Sequence, residues 1–155
     1  MKRLLALFLI LTIFSCERKE ITKADLSFKL ISFSSFYGAE PEQLEKFEKI
    51  FDGIRKNPIA KKQDKELDDF FVRLNDKGLL TSPYINLRIG NDSTLVVYLS
   101  ETEYKKVKDF NHNDLQKRNK KVELELEIVK KDVDIYYTER ILSVNEVDGK
   151  TYWKK

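Results

Sequence analysis

One cysteine, one histidine, one tryptophan, three prolines and five glycines leave this 155-residue chain poor in the residues on which site chemistry usually rests. A single cysteine, Cys16, excludes an intrachain disulfide. With no second thiol and only one histidine, His112, no obvious ligand set for zinc is present. Five glycines leave little room for a phosphate-cradling loop, and neither a P-loop nor a nucleophile elbow occurs in the sequence. There is also no large excess of charge. The chain carries 29 Lys and Arg against 26 Asp and Glu, a net +3. Two of those bases, Lys2 and Arg3, stand in the opening segment, so the remainder is near neutral. Such a balance gives no general electrostatic reason to bind nucleic acid.

Aromatic residues, by contrast, are plentiful. Ten Phe and seven Tyr, within an apolar fraction of 41%, are enough for a real core and argue against disorder. The length favours one domain.

The one long apolar run is at the start. Lys2 and Arg3 precede Leu4 to Phe14, eleven residues of which only Thr12 is polar. A spanning helix needs roughly 20 apolar residues, so this run has instead the length of a signal-peptide h-region. Ile13-Phe14-Ser15-Cys16 then resembles the lipobox of bacterial lipoproteins, with Phe14 bulkier than the residue usual there. The resemblance implies removal of residues 1–15, a diacylglyceryl thioether on Cys16, and anchoring at a membrane. It also explains why an exported chain carries one unpaired thiol. Glu17 follows Cys16 where Asp would imply inner-membrane retention, so the resemblance implies the outer membrane. In some lineages charged residues just after the cysteine also mark export to the outer surface, and positions 17–20 are all charged. Residues 16–24 read as a lipid-anchored tether and 25–155 as a single α+β domain.

Within that domain, alternation of Leu26, Phe28 and Leu30 predicts a strand over 26–37 with a bulge near Ile31, a helix from Asp25 being the alternative. Leu44, Phe47, Ile50, Phe51 and Ile54 mark the inward face of a helix that Pro41 starts and Asn57-Pro58 stops. A second helix over 63–77 turns Leu67, Phe70, Phe71 and Leu74 inward, and Gly78 ends it. Residues 84–100 read as a hairpin with a loop at Asn91-Asp92-Ser93, setting Ile89 opposite Leu95. Ser100 and Glu103 have the spacing of a capping box before a third helix. Val122, Leu124, Leu126 and Ile128 alternate with Glu123, Glu125 and Glu127, as in a sheet with one packed and one wet face. A long strand from Asp134 follows, bent near Thr138–Arg140. A turn at Asp148-Gly149 leads to a last strand that sets Trp153 opposite Val144. The expected fold is α+β: an antiparallel sheet of five to six strands, a C-terminal meander, and two to three helices on one face. The meander is similar to that of small barrels such as the OB-fold, but the expected order of strands and helices differs from that fold.

Candidate chemistry is sparse. His112, between two Asn, reads as a solvated loop residue. Glu123, Glu125 and Glu127 stand about 6.6–6.8 Å apart along a strand, a spacing compatible with paired-carboxylate hydrolysis. Any acidic strand face satisfies that spacing, so a solvated face is the simpler reading. Asp68-Asp69 reads as a helix surface pair. The basic run from Lys117 to Lys121 suits a phosphate or an anionic lipid at most. Tyr136, Tyr137, Tyr152 and Trp153 read as packing residues. Asp92-Ser93-Thr94 resembles a short O-glycosylation sequon of some Gram-negative lineages, which makes Ser93 a candidate modification site. The sequence therefore predicts no catalytic residues, no metal and no cofactor. It predicts a lipid-anchored binding or scaffolding module with a protein partner and no nucleic acid. An inhibitor or immunity-type protein acting on an envelope enzyme or toxin is the runner-up, and a carboxylate-using hydrolase the third reading.

Overall fold

The computed structural model describes residues 19–29, 34–90 and 93–153. Cys16 and the h-region lie outside them. Five strands form one sheet: β1 (Lys19–Ser27), β2 (Tyr84–Ile89), β3 (Ser93–Leu99), β4 (Lys120–Lys130) and β5 (Tyr136–Asp148). The sheet is not open. It closes as a barrel in the order β1-β2-β3-β5-β4. β1 makes the closure by pairing antiparallel on both sides, from Lys19↔Val129 to Asp25↔Glu123 with β4, and from Asp25↔Arg88 to Ser27↔Asn86 with β2. β3 and β5 meet in a short parallel seam, Val97↔Tyr136 to Leu99↔Thr138, so the sheet is mixed rather than wholly antiparallel.

The strand expected over 26–37 thus lies earlier in the chain, and Ile31, where a bulge is expected, lies outside the described residues. Residues 19–24, read as tether, are barrel wall, and β1 ends at Ser27. The inward positions of β1 include Thr22, opposite Leu126, and the buried Ala24. Both side chains are small, so the alternation that betrays a strand is weak there.

Inside the barrel, Leu26, Leu87, Val97, Leu99, Val122, Leu124 and Leu126 make the first core, as the alternation of β4 predicts. The β2–β3 pairing differs from expectation by two residues: Ile89 faces Ser93 and Leu87 faces Leu95. A shift of two keeps every side chain on its own face. In β5 the register slips twice, leaving Leu142 and Glu139 as extra residues, close to the expected bend. The first bulge is closed by a buried carboxylate. Glu103, 8% exposed, accepts the Ile141 N–H at 2.6 Å and a bond from Lys106 Nζ at 2.7 Å. Ser100 Oγ does accept from the Glu103 N–H, at 3.3 Å. The Glu103 side chain, however, does not reach back to complete a capping box, because it is committed to β5.

Five helices are present among the described residues: α1 (Pro41–Lys56), α2 (Lys62–Asp76), α3 (Glu101–Tyr104), α4 (His112–Lys117) and α5 (Lys150–Trp153). They do not share one face. α3 and α4 lie between β3 and β4 in the chain, and Val107 and Leu115 from that connection join the barrel core. α1 and α2 form a hairpin inserted between β1 and β2. Pro41 opens α1, and the Glu40 N–H donates to Gln43 Oε1 at 2.9 Å. Gly78, at φ +69°, ends α2: its N–H reaches Asn75 O at 2.8 Å and the Leu79 N–H reaches Leu74 O at 3.0 Å. The five strands close into one barrel without α1 and α2 taking part in the sheet.

The expected last strand does not form. Asp148 Oδ1 accepts the Lys150 N–H at 3.0 Å, and the chain turns into α5. Gly149 lies so close to β4 that an added Cβ would stand 2.7 Å from Lys120 C and 2.9 Å from Lys121 N. That approach lets the Gly149 N–H bond Asn119 O at 2.7 Å and Trp153 Nε1 bond Lys120 O at 2.8 Å. Val144 instead faces Leu124 on β4.

Replacing Gly149 with Ala forces backbone apart, and we expect a loss of about 1–3 kcal/mol by chemical denaturation. The control is Gly53→Ala in α1, where nothing lies within 4 Å of the added carbon. It should gain about 0.5–1 kcal/mol from helix propensity. A second expectation concerns acid. Arg73 bonds Asp134 at 2.6 Å and holds its carboxyl below the ordinary range, as Lys19 does for Glu139 and Arg118 for Glu146. Carboxyls that are more acidic when folded add stability that is complete above the ordinary pKa of about 4 and is lost as pH falls through the folded values. Asp134→Asn removes one such group, so denaturation midpoints at neutral and acid pH should lie closer together in the variant than in the parent.

Candidate functional site

A second core lies outside the barrel wall. Tyr98, in β3 between the inward Val97 and Leu99, points outward, is 1% exposed, and joins Phe36, Phe51, Phe71, Leu74, Leu79 and Ile135. Its hydroxyl donates to Ser34 O, and burial pushes its pKa up. Tyr84, Val96 and Tyr137 pack against the same cluster, so the hairpin covers part of the outer face of β2, β3 and β5. Arg73 of α2 clasps the β4–β5 loop through Asp134 and lies 3.7 Å from Asp132.

The hairpin does not bury all of its own apolar surface. Of the α1 residues expected inward, Phe51 is buried, Leu44 and Ile54 are half-buried, and Phe47 and Ile50 are 37% and 57% exposed. On α2, Phe71 and Leu74 are buried, while Leu67 and Val72 remain exposed. Between the two helices runs an open groove of about 930 Å³. Its apolar lining includes Phe36, Leu44, Phe47, Phe51, Phe71, Val72 and Leu80. The phenyl rings pack edge-on or tilted against one another: Phe36 lies 4.6 Å from Phe47 and 5.1 Å from Phe71, and Phe51 lies 5.3 Å from Phe71.

Charge enters the groove with one sign in excess. Glu48, Asp68 and Asp69 line it, against the single cation Arg55. Asp68 is not the surface carboxylate its neighbour Asp69 suggests. It is 5% exposed and receives Arg55 Nε at 3.1 and 3.0 Å, with Arg55 Nη2 at 2.9 Å. Arg55 also reaches Asp52 at 3.1 Å, so its charge is committed. The Arg55–Asp68 pair bridges the two helices, and with Glu48 and Asp69 in the lining the groove is left net negative.

The residues singled out from sequence are scattered. Cys16 lies outside the described residues. Ser93 is exposed, but it opens β3 opposite Ile89 rather than sitting at the loop tip. His112 begins α4 and is exposed, with its ring edge-on to Phe28 at 5.7 Å and Trp153 at 5.0 Å. It belongs to an aromatic cluster with Tyr152, whose hydroxyl donates to Leu26 O at 3.2 Å. Glu123, Glu125 and Glu127 stand on the barrel exterior; Lys23 sits opposite Glu125 in register, and Arg140 bonds Glu127 at 2.8 Å. None of the three lines the groove. In the basic run, Lys121 is paired with Asp25 at 2.8 Å and Arg118 with Asp114 and Glu146.

The groove itself escapes a reading of periodicity. The α1 stripe is taken as wholly inward, yet two short helices cannot cover each other's apolar faces and a barrel wall at once. The signal present in the sequence is the excess of large apolar residues on α1 and α2 over what one buried face needs.

Among the described residues there is no group of three or more His, Cys, Asp or Glu placed to hold a metal, and no helix long and apolar enough to cross a membrane. No protein-family model matches the chain, and neither curated proteins nor solved structures provide a match.

Proposed function

We propose that this chain is a lipid-anchored, non-catalytic binding module of the cell envelope, held through Cys16 at the outer membrane, whose inter-helix groove receives a segment of a protein partner. The observation that carries the reading is the groove: apolar and aromatic along its length, with carboxylates in excess. An amphipathic helix lays its apolar side into such a groove, with anchors at i, i+3, i+4 and i+7. The acidic lining favours an occupant with Lys or Arg flanking those anchors. An envelope enzyme or toxin that offers such a segment would make the protein an inhibitor, and the same groove serves that case. The hydrolase reading draws less support, because the strand carboxylates stand on a convex outer wall and Asp68 is held by Arg55.

Two measurements test the proposal. Intact mass of the protein from its native host should show residues 1–15 removed and Cys16 diacylglycerated. A bare thiol or a retained leader overturns the anchor. The same spectrum reads Ser93, where a glycan mass would mark modification.

The groove is tested with the lipidated protein in nanodiscs and two synthetic amphipathic peptides that share apolar anchors, one flanked by lysines and one by glutamines. The lysine peptide should bind more tightly. Val72→Glu should weaken both peptides, and Glu48→Lys with Asp69→Lys should weaken only the lysine peptide. Each loss should be at least about tenfold, or roughly 1.4 kcal/mol. Equal binding across these surface variants would rule the groove out.

A further inference from the structure

The tether is far shorter than its composition suggests, and its length fixes which end of the barrel meets the membrane. β1 begins at Lys19, so only Glu17 and Arg18 separate the strand from Cys16. Three Cα steps of at most about 3.3–3.6 Å each span no more than about 11 Å. Lys19 pairs with Val129, and Val129 with Tyr137, which places it at the barrel end that carries the β4–β5 loop. The opposite end carries Ser27, Lys120 and Asp148, reached only along the full length of the strands.

We propose that the tip of the β4–β5 loop, residues 131–134, is a membrane-contact loop that rests in the phospholipid headgroups of the bilayer holding the anchor, while the buried Ile135 fixes its base in the outer core. This inference rests on the lipid anchor proposed above. The loop has the chemistry for that position. Val133 is 76% exposed, and the Lys130 and Lys131 ammonium groups each lie 5.8 Å from a tyrosine ring, Tyr136 and Tyr137 respectively. Lysine settles at a lipid–water boundary with its apolar stem along the protein and its ammonium among headgroups, and Tyr136 and Tyr137, packed against the inner and outer cores, lie beside the two ammonium groups. On the barrel wall near the same end, Ile21 is 63% exposed. The end is not strongly basic, because Glu139 pairs with Lys19 and Asp132 and Asp134 lie beside Arg73. Strong intrinsic affinity is not required. A short tether makes the contact intramolecular, at an effective concentration on the order of millimolar.

The lone native cysteine makes the test clean, since a thioether at Cys16 leaves any introduced cysteine as the one free thiol. Val133→Cys and Gln116→Cys, the latter on the exposed face of α4 at the far end, are each labelled with an environment-sensitive fluorophore. The lipidated proteins are reconstituted in phosphatidylethanolamine–phosphatidylglycerol vesicles containing brominated lipid. Quenching at position 133 should exceed that at 116 several-fold. A flexible Gly/Ser insert of about a dozen residues before Lys19, spanning roughly 20 Å, should abolish most of that difference. Equal quenching at the two positions, in protein whose mass confirms lipidated Cys16, overturns the orientation and leaves the anchor standing. Protein that carries a bare Cys16 and stays off the vesicles overturns both. Quenching at 133 that survives the insert overturns the role of the tether.

Discussion

β1 is hydrogen-bonded along both of its edges, and the rest of the architecture depends on that. A five-stranded sheet left open would expose unpaired N–H and C=O groups on its outer strands, a template for aggregation. Closure removes those edges and gives the barrel one interior, which Leu87, Leu124 and Leu126 fill without access to solvent. The strand that does this is among the least hydrophobic in the molecule. Thr22 and Ala24 face inward beside Leu126 and Leu124, their register partners on β4. The pairing of β1, more than its side chains, holds it. That pairing starts at Lys19, three positions after Cys16 in the sequence.

The wall of β2, β3 and β5 separates two cores that do different work. The inner core closes the barrel. The outer one, built around Tyr98, seats a helical hairpin against the wall and leaves an apolar groove on the hairpin's own surface. Tyr84, Val96 and Tyr98, on the outer face of β2 and β3, lie under the hairpin, so the apolar surface left open is the cleft between the two helices rather than a sheet face.

Much of this was legible in the residues, and the failures share a cause. β4 is read correctly because Val122, Leu124 and Leu126 alternate with glutamates, and α1 and α2 because their apolar residues recur at helical spacing. Gly78 marks the end of α2 because no other residue accepts its positive φ so readily. What escaped depends on contacts between segments distant in the chain. β1 looks polar until β4 is beside it. Asp148-Gly149 is good hairpin chemistry, but the approach of Gly149 to Lys120 and the seat of the Trp153 indole at the barrel end redirect the chain into α5. Asp68 looks like a surface acid and Glu103 like the acid of a capping box, and each is buried with a partner, Arg55 or the Ile141 N–H, that local pattern cannot supply. Closure of the sheet is likewise a property of register, not of any one strand's composition.

Because the two cores are divided by the strand wall, they need not loosen together. The hairpin is joined to the wall by aromatic packing, the Tyr98–Ser34 bond and the Arg73 clasp, whereas the inner strands are locked by backbone ladders. Native-state amide exchange in such a molecule falls into two tiers, with helical amides of the hairpin opening at lower free energy than those of the ladder. The barrel then acts as a rigid plinth, and breathing is confined to the part that bears the cleft.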